Sequence, residues 1–174
     1  MTIEPQTFVF DSDGSVPNNP ALPVLLYRGG IDVSAGRDPE RAVEQIFIAN
    51  GWGRDIWRNG IYSFAHFHSM IHEVLGIARG SVRVRLGGRA GQEFVLETGD
   101  VAVLPAGTGH QRLSEHDGLS VVGGYPPQGR YDVCRGGASD VASAVQAVAQ
   151  VPLPSVDPLF GDCGPLLTHW CGKP

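Results

Sequence analysis

The chain has 174 residues, with 13 Lys and Arg against 18 Asp and Glu, and its formal net charge is −5 at pH 7. This acidic balance argues against a surface that neutralises the phosphates of nucleic acid or of an anionic membrane, so neither is expected as a partner. The apolar fraction of 42% is typical of a folded domain and not of a disordered chain.

Glycine and proline are abundant, at 24 and 13 residues, which favours many short strands joined by turns over a helical bundle. The three cysteines, Cys134, Cys163 and Cys171, are odd in number and lack the spacing of a zinc cage. We therefore expect reduced thiols in a cytoplasmic protein. The first ten residues resemble neither an export signal nor a membrane anchor.

The N-terminal part of the chain predicts two strands and one helix. The strands are expected at Thr7–Phe10 and Pro23–Tyr27, on either side of a turn-rich segment. The helix is expected to start at Asp38, whose carboxylate can cap it, with Pro39 in the first helical position, and to stop at Asn50. Its apolar residues share one face, so we expect it to cover a sheet.

The middle of the chain has the alternating pattern of strands. Val82, Val84 and Leu86 alternate with Arg83 and Arg85, which places the apolar side chains on one buried face. The full set of predicted strands here is Ile61–His68, Val82–Leu86, Phe94–Leu96, Val101–Leu104, Gln111–Leu113 and Leu119–Val122. Regular short strands of this kind predict a sandwich or a barrel.

The C-terminal part predicts a second helix and then an extended tail. Ser139 and Asp140 can cap a helix that runs to about Gln150, with valines along one side. The tail, Val151–Pro174, is rich in proline and is expected to lie extended along the surface.

A set of histidines carries the chemistry that the sequence suggests. His66 and His68 are two residues apart in a predicted strand, so both rings project from one face. A hairpin after them would bring Glu73 alongside, and His110 could approach from a later strand. Three imidazoles and one carboxylate suit a divalent transition metal such as Fe, Mn, Ni, Cu or Zn, with positions left open for water or substrate. A His-x-His pair alone is also compatible with an exposed polar strand face.

The spacing around these residues resembles the two signature motifs of the cupin superfamily. The first run is Gly60-x5-His66-x-His68-x4-Glu73-x6-Gly80, and the second is Gly99-x5-Pro105-x-Gly107-x2-His110. In the second motif the place usually held by Asn, four residues after the histidine, is held here by Ser114. The resemblance implies an all-β fold, a double-stranded antiparallel β-barrel or jelly roll with one or two flanking helices. It also implies that His66, His68, Glu73 and His110 are the metal ligands.

A narrower resemblance covers nearly the whole chain. It is carried by Pro17–Pro20, Leu22–Tyr27, His72–Gly76, Gly99–His110 and Asp157–Gly161. Together these segments are similar to the bacterial single-domain cupins of the YjlB type, a family with no established reaction. The resemblance implies one cupin domain over residues 1–174, with a barrel core at about 60–125, N-terminal strands and a helix in 1–59, and a C-terminal helix and strap in 138–174.

Strand parity suggests further residues that line the site. Tyr62 would point inward with His66 and could donate a proton, although a core tyrosine bonded to a backbone acceptor is the simpler interpretation. Arg112 shares the parity of His110 and could pair with a substrate anion, unless a bulge shifts the register. His72 should point away from the ion and pack elsewhere. Trp52 and Trp57 are expected to pack in the core.

Three functions remain open at this stage. A metal-dependent enzyme acting on a small molecule is the first, with dioxygenase chemistry favoured over isomerase or lyase chemistry by analogy with related cupins. A barrel that binds a small ligand without turnover is the second. An enzyme acting on phosphorylated sugars is the third, and the shortage of inward-facing cations counts against it. We expect a homodimer, because an exposed strand edge needs covering.

Overall fold

The computed structural model of the protein describes residues 2–34 and 36–172. Seven strands and three helices lie within those ranges. In chain order they are β1 (Gln6–Phe8), β2 (Val24–Tyr27), α1 (Pro39–Ala49), β3 (Arg54–Asn59), β4 (Glu73–Leu86), β5 (Gln92–Glu97), β6 (Val101–Leu104), β7 (His110–Tyr125), α2 (Ala138–Gln150) and α3 (Pro165–Cys171).

The strands form one antiparallel sheet in the order β1-β2-β6-β4-β7-β3, and β5 pairs with β4. β4 changes partner along its length, because residues 73–76 pair with β6 and residues 81–86 pair with β5. β7 pairs with the other edge of β4, and this pairing contains register shifts. Residues of β3, β4 and β7 surround one internal cavity. The all-β jelly roll that the sequence predicts is therefore confirmed.

Both faces of the sheet are buried, and β4 shows how its side chains divide between them. Val74 and Ala78 belong to a cluster that includes residues of α1 and α3, so helices cover this face. Leu75 and Ile77 belong to the second cluster, on the opposite face. Glu73 has the parity of Leu75, and Leu75 lines the cavity. The parity of β4 thus places a carboxylate inside the barrel.

The helix α1 begins where the sequence predicts it. The Asp38 carboxylate caps the helix by accepting from the backbone N–H of Arg41 at 2.9 Å. Val43 and Phe47 are fully buried against the sheet. They sit over Gly76 in β4, where a Cβ atom would collide with Val43. Close approach of the helix to the sheet therefore requires glycine at this position.

The strand predictions are wrong in three places. Ile61–His68 is not a strand, because the segment forms only isolated β-bridges, at His66 and Phe67, and no continuous ladder. β3 was not predicted at all. The predicted strands Gln111–Leu113 and Leu119–Val122 are parts of β7, whose turn-like residues in the middle form a bulged stretch and not a break.

The predictions for the C-terminal part also need correction. α2 starts at Ala138 after Gly137, without a side-chain cap, so the predicted caps at Ser139 and Asp140 are wrong. The tail contains a third helix, α3, where only an extended strap was expected. Trp170 of α3 is 5% exposed and belongs to the core, which the proline content did not indicate. No helix in residues 2–34 and 36–172 has the length and apolarity needed to cross a membrane.

Candidate metal centre

The two histidines of the first motif lie in an extended segment that is tied to the start of β7. The backbone N–H of His66 donates to His110 O at 3.1 Å, and His110 N–H donates back to His66 O at 2.9 Å. Phe67 makes the corresponding exchange with Cys134 on the other side. The segment therefore alternates like a strand over three residues, and His66 and His68 project toward the same side. The prediction that the two side chains point to the same side is therefore correct, although residues 61–68 do not form the predicted strand.

The three histidines of the two motifs meet at one point inside the barrel. His66, His68 and His110 are buried, and each offers one ligand atom within 4.8 Å of the others. Glu73 Oε2 lies 3.4 Å from His68 Nε2 and 3.2 Å from His110 Nε2. The structure thus brings together the four residues that the sequence selected, from positions up to 44 residues apart.

The backbone sets the tautomer of each histidine. His66 Nδ1 lies 3.1 Å from Phe64 O, His110 Nδ1 lies 3.0 Å from Thr108 O, and His68 Nδ1 contacts the backbone oxygen of Asp132. A carbonyl oxygen only accepts, so each Nδ1 carries the proton. In the neutral rings each Nε2 then presents a lone pair. The nitrogen that each neutral ring offers to a metal ion is therefore Nε2.

The two oxygens of Glu73 have different surroundings. Oε1 accepts a hydrogen bond from the Tyr125 hydroxyl at 3.0 Å, and that hydroxyl accepts from Trp57 Nε1 at 3.2 Å. An indole N–H can only donate, so the hydroxyl proton of Tyr125 is directed to Glu73. Oε2 is buried and has no hydrogen-bond partner. The carboxylate therefore turns one occupied oxygen away from the histidines and one free oxygen toward them.

This donor set fits a divalent transition metal. Three imidazole lone pairs and a carboxylate oxygen converge in a buried space, where they would repel each other unless a cation lay between them. The pKa values of Glu73 and His68 reflect this close approach. Burial opposes the charge of Glu73, but His68 and His110 lower the pKa of its carboxyl below the usual 4.5. Burial also opposes the charge of His68, and Glu73 raises its pKa.

His66 behaves differently from His68. Burial, together with the positive charge that His110 can carry, lowers the pKa of His66 to about 3. His66 is consequently neutral at physiological pH and its Nε2 lone pair is free. A neutral ring of this kind is ready to bind a metal without first losing a proton.

The centre forms the floor of a cavity of about 390 Å³. Trp57, Ile61, Leu75 and Tyr125 provide most of the apolar wall. Tyr62 and Tyr131 stand at the mouth and remain 48% and 45% exposed. Volumes of this size accommodate small organic molecules.

The two other candidate residues are placed differently from the ligands. Tyr62 lines the cavity and its ring centroid is 5.0 Å from that of His66, but it lies in a loop at the mouth and not within a strand. Arg112 lies beside a neighbouring depression and pairs with Glu115, and it is not among the residues that line the cavity. β4 and β7 stay in register from His110 to Arg112, which pair with Leu86 and Val84, so Arg112 keeps the parity of His110 and its guanidinium turns to Glu115 instead of the cavity.

His72 packs behind the site, as its parity predicts. The ring is fully buried, and its Nδ1 accepts from the Ala106 backbone N–H at 2.9 Å. Its centroid is 4.9 Å from the ring of Trp170 in α3. Burial lowers the pKa of His72 to about 4, so this ring is neutral and serves packing.

Sequence reasoning missed several residues that support the centre. Tyr125 ends β7, Tyr131 and Asp132 follow it outside both motifs, and Trp57 was expected in the core. Asp132 contributes its backbone oxygen to His68, and its carboxylate accepts from the Ser69 backbone N–H at 3.0 Å. A signal for the Trp57 contact exists in Gly123, which pairs with Trp57 across β3 and β7 and has no side chain to obstruct the indole. Trp52 packs in the core as predicted.

Comparison with known proteins places the chain beside a bacterial relative. It is 35% identical over 170 residues to the uncharacterised protein YjlB of Bacillus subtilis, and the match covers 98% of this chain and 99% of the relative. No protein-family model matches the chain.

Solved structures with similar folds are more distant. The acireductone dioxygenase of Bacillus anthracis is 16% identical, with a TM-score of 0.39 over 59% of this chain and 76% of that one. The TDP-quinovose 3,4-ketoisomerase WlaRB of Campylobacter jejuni is 13% identical, with a TM-score of 0.41 over 52% and 73%.

Proposed function

The chain belongs to the YjlB family of cupins, and on that basis we propose that it is a metalloenzyme that acts on a small organic substrate. The proposed ligands of its mononuclear centre are His66, His68, Glu73 and His110. The observation that carries the proposal is the cluster of His66, His68 and His110, whose ligand atoms lie within 4.8 Å of one another, beside Glu73 Oε2, a buried oxygen without a hydrogen-bond partner that is 3.4 and 3.2 Å from Nε2 of His68 and His110. A purely structural core would satisfy that oxygen with a donor.

The protein's own residues have defined roles in this proposal. The backbone oxygens bonded to each Nδ1 hold the three rings in place. Tyr125, whose hydroxyl accepts from Trp57, donates to Glu73 Oε1, which leaves Oε2 for coordination. The apolar wall excludes water and strengthens electrostatic interactions near the floor. A bound divalent ion would supply Lewis acidity and, for a redox-active metal, electron transfer.

Proton exchange with the substrate falls to the tyrosines at the mouth. Tyr125 is committed to Glu73, so its proton is not available to a ligand. Tyr62 and Tyr131 line the cavity and are 48% and 45% exposed. Burial and the adjacent Tyr62 raise the pKa of Tyr131, which keeps its hydroxyl protonated as a donor. We assign turnover to the protein, and not binding alone, on the presence of these donors beside the centre.

Oxidation by O₂ is the finer proposal for the reaction. An iron-bearing centre with open positions in an apolar, aromatic cavity is suited to it. Isomerase and lyase reactions use the same ligands without consuming oxygen. An oxygen electrode with iron-loaded protein and a panel of thiols, diketones and phenols separates these reactions from oxidation. Inertness of the iron form toward every substrate class would favour the binding-module alternative.

The metal proposal is tested by metal analysis of protein purified without chelator. We expect about one equivalent of Fe, Mn, Ni, Cu or Zn in the parent protein and less than about a tenth of that in His66→Ala and His110→Ala. His116→Ala is the matched control, because His116 is an exposed histidine of β7 outside the centre. If the ligand variants fold and retain the full metal content, the assignment is wrong.

A homodimer and a cytoplasmic location complete the proposal. β1 pairs only with β2 among the described strands, so its other edge is open, and the adjacent Val9 is 60% exposed. An open edge of this kind is suited to pairing with a second copy. Sedimentation velocity at micromolar concentration distinguishes a dimer from a monomer.

A further inference from the structure

The segment 17–20 is one of those that carry the resemblance to YjlB-type cupins, and it lies outside the centre described so far. It precedes β2 and contains two asparagines, Asn18 and Asn19, which are 1% and 6% exposed. Buried amide groups need hydrogen-bond partners, because an unpaired amide in the core is costly. The partners of Asn18 connect it to the metal centre.

Every polar atom of the Asn18 side chain has a partner. Its Nδ2 donates to the backbone oxygens of Asp11 at 2.7 Å and Gly87 at 3.0 Å, and its Oδ1 accepts from the backbone N–H of Gly109 at 3.1 Å. Gly87 N–H donates in turn to Gly109 O at 2.7 Å, so Asn18, Gly87 and Gly109 form a closed ring of hydrogen bonds. Only an amide side chain provides two donors and one acceptor in this way. The left-handed backbone of Asn18, at φ 51°, is also tolerated by asparagine better than by most residues.

Gly109 shares a peptide unit with the backbone oxygen that orients His110. The carbonyl of Thr108 accepts from His110 Nδ1 at 3.0 Å, and the N–H of the same peptide bond belongs to Gly109. A trans peptide unit is planar, so its C=O and its N–H point in opposite directions. A hydrogen bond that holds the N–H toward Asn18 therefore also holds the C=O toward His110 Nδ1.

Asn19 provides a comparison within the same segment. Its amide makes three hydrogen bonds with the described part of the chain, one of them from Nδ2 to Ala106 O at 3.0 Å. The peptide unit of Ala106 continues to the N–H of Gly107, which donates to the backbone oxygen of His68 at 2.7 Å. This contact ends on the main chain, whereas the contact of Asn18 leads to a ring nitrogen.

On the basis of the proposed function, we infer that Asn18 is a positioning residue of the metal centre, which sets the orientation of the His110 ring through the Thr108–Gly109 peptide unit. Asn18 lies 91 residues before Gly109 and is not among the residues that line the cavity. Without the acceptor at Asn18 the peptide unit is free to rotate, and the Thr108 oxygen then leaves His110 Nδ1. The ring loses the contact that directs its Nε2 toward the proposed ion.

Two alanine variants, Asn18→Ala and Asn19→Ala, test this role. Both should lower the thermal midpoint of the metal-free protein, because each loses buried hydrogen bonds. Affinity for Co²⁺, measured by competition with a chelator, should fall by about tenfold in Asn18→Ala and by less than about twofold in Asn19→Ala. The visible spectrum of the Co²⁺-loaded protein reports the arrangement of its ligands, and it should change only in Asn18→Ala.

Hydrogen exchange in the parent protein provides a test that needs no variant. Zn²⁺ binding fixes the His110 ring, and the shared peptide unit should then hold the Gly109 N–H on Asn18. We expect Zn²⁺ to slow the exchange of the Gly109 amide about tenfold more than that of Leu22, whose N–H donates to Asn19 Oδ1 at 2.9 Å. Nuclear magnetic resonance measures both exchange rates on one sample.

The outcomes separate the role of Asn18 from the proposed function. If the parent protein binds Co²⁺ and the two alanine variants lose affinity equally, Asn18 is not a positioning residue and the metal centre is unaffected. An unchanged Co²⁺ spectrum in folded Asn18→Ala, or equal slowing of the two amides by Zn²⁺, also overturns the role. If Asn18→Ala does not fold, the exchange of Gly109 decides. A parent protein that binds neither ion overturns the proposed function itself.

Discussion

Two buried carboxylates lie in different parts of the barrel, and they are used in opposite ways. Asp157, before α3, is fully buried and accepts from the Tyr27 hydroxyl at 2.6 Å and the Leu166 backbone N–H at 3.0 Å through Oδ2. Its Oδ1 accepts from the backbone N–H groups of Leu159 and Phe160 at 2.7 and 3.1 Å. Every oxygen of this carboxylate is satisfied by the protein itself.

Glu73 is equally buried but only half satisfied. Oε1 accepts from Tyr125, whereas Oε2 faces ring nitrogens and has no hydrogen-bond partner. The hydrogen-bond donors around a buried carboxylate therefore indicate its role. A complete set of donors indicates a structural role in which the anion organises a loop, and an unpartnered oxygen among ring nitrogens indicates a place for a cation.

The same chemical change at the two carboxylates sharpens this contrast, and the largest effect is expected at Asp157. In Asp157→Asn an amide NH₂ must face backbone N–H donors in either orientation, so buried donors lose their acceptor. We expect a loss of about 3 kcal/mol in the free energy of unfolding, measured by urea denaturation. The metal content of the folded fraction should stay at the parent value. A loss of under about 1 kcal/mol would show that Asp157 is not a structural hub.

The corresponding change at Glu73 should affect metal binding and not folding. In Glu73→Gln the amide oxygen still accepts from Tyr125, and the NH₂ group can donate toward the histidine lone pairs. We expect the metal-free variant to unfold within about 1 kcal/mol of the metal-free parent. Metal affinity, measured by competition with a chelator, should fall by at least about 100-fold. Unchanged metal affinity in Glu73→Gln would contradict the different roles assigned to the two carboxylates.

A smaller effect is expected from Tyr125, which positions Glu73 without being a ligand. Tyr125→Phe leaves Oε1 without its donor, so the carboxylate can rotate or bind through both oxygens. We expect metal affinity to fall by about tenfold, with a change in the visible spectrum of the Co²⁺-loaded protein that reports altered coordination. Tyr131→Phe is the control, because no hydrogen bond joins its hydroxyl to Glu73 in the described structure. Identical spectra for the parent and Tyr125→Phe would contradict this role.

The smallest effect is expected at Glu40, a partly buried carboxylate with an exposed partner, which provides a reference for the two buried ones. Glu40 pairs with Arg79 at 2.8 Å, and this contact lowers the pKa of Glu40 from 4.5 to about 2. The folded state therefore binds this proton less readily than the unfolded state. The stabilisation is complete above pH 4.5 and is lost as the pH falls toward 2.

Because Arg79 is exposed to solvent, we expect Glu40→Gln to cost only about 0.5 to 1 kcal/mol at pH 7. The difference in the free energy of unfolding between the variant and the parent, measured by urea titration, should decrease as the pH is lowered from 5 to 3. A stability difference that increases as the pH falls would contradict a stabilising ion pair between Glu40 and Arg79.

Local pattern in the sequence was sufficient to predict part of the fold. The alternation at Val82, Val84 and Leu86 correctly placed a strand, since period two is a local property of extended backbone. The helix at Asp38 followed from its cap for the same reason. The helix α3 escaped detection because its seven residues are too few to show an amphipathic period, and packing of Trp170 stabilises it.

The residues that complete the site could not be found in this way. The resemblance of the two motifs to those of cupins implied that His66, His68, Glu73 and His110 are metal ligands, and these residue types suit one divalent ion. Whether an oxygen of Glu73 remains free depends on Tyr125, which is 52 residues away and meets it only in the folded sheet.

The sequence by itself therefore determined the strand periodicity and the first helix, which depend on near neighbours in the chain, and its two motifs indicated the candidate ligands. Only the tertiary structure decided which buried acid is satisfied, which tyrosines border the cavity and where the Arg112 guanidinium points. Those features depend on partners from distant parts of the chain, and the spacing of any one segment does not encode them.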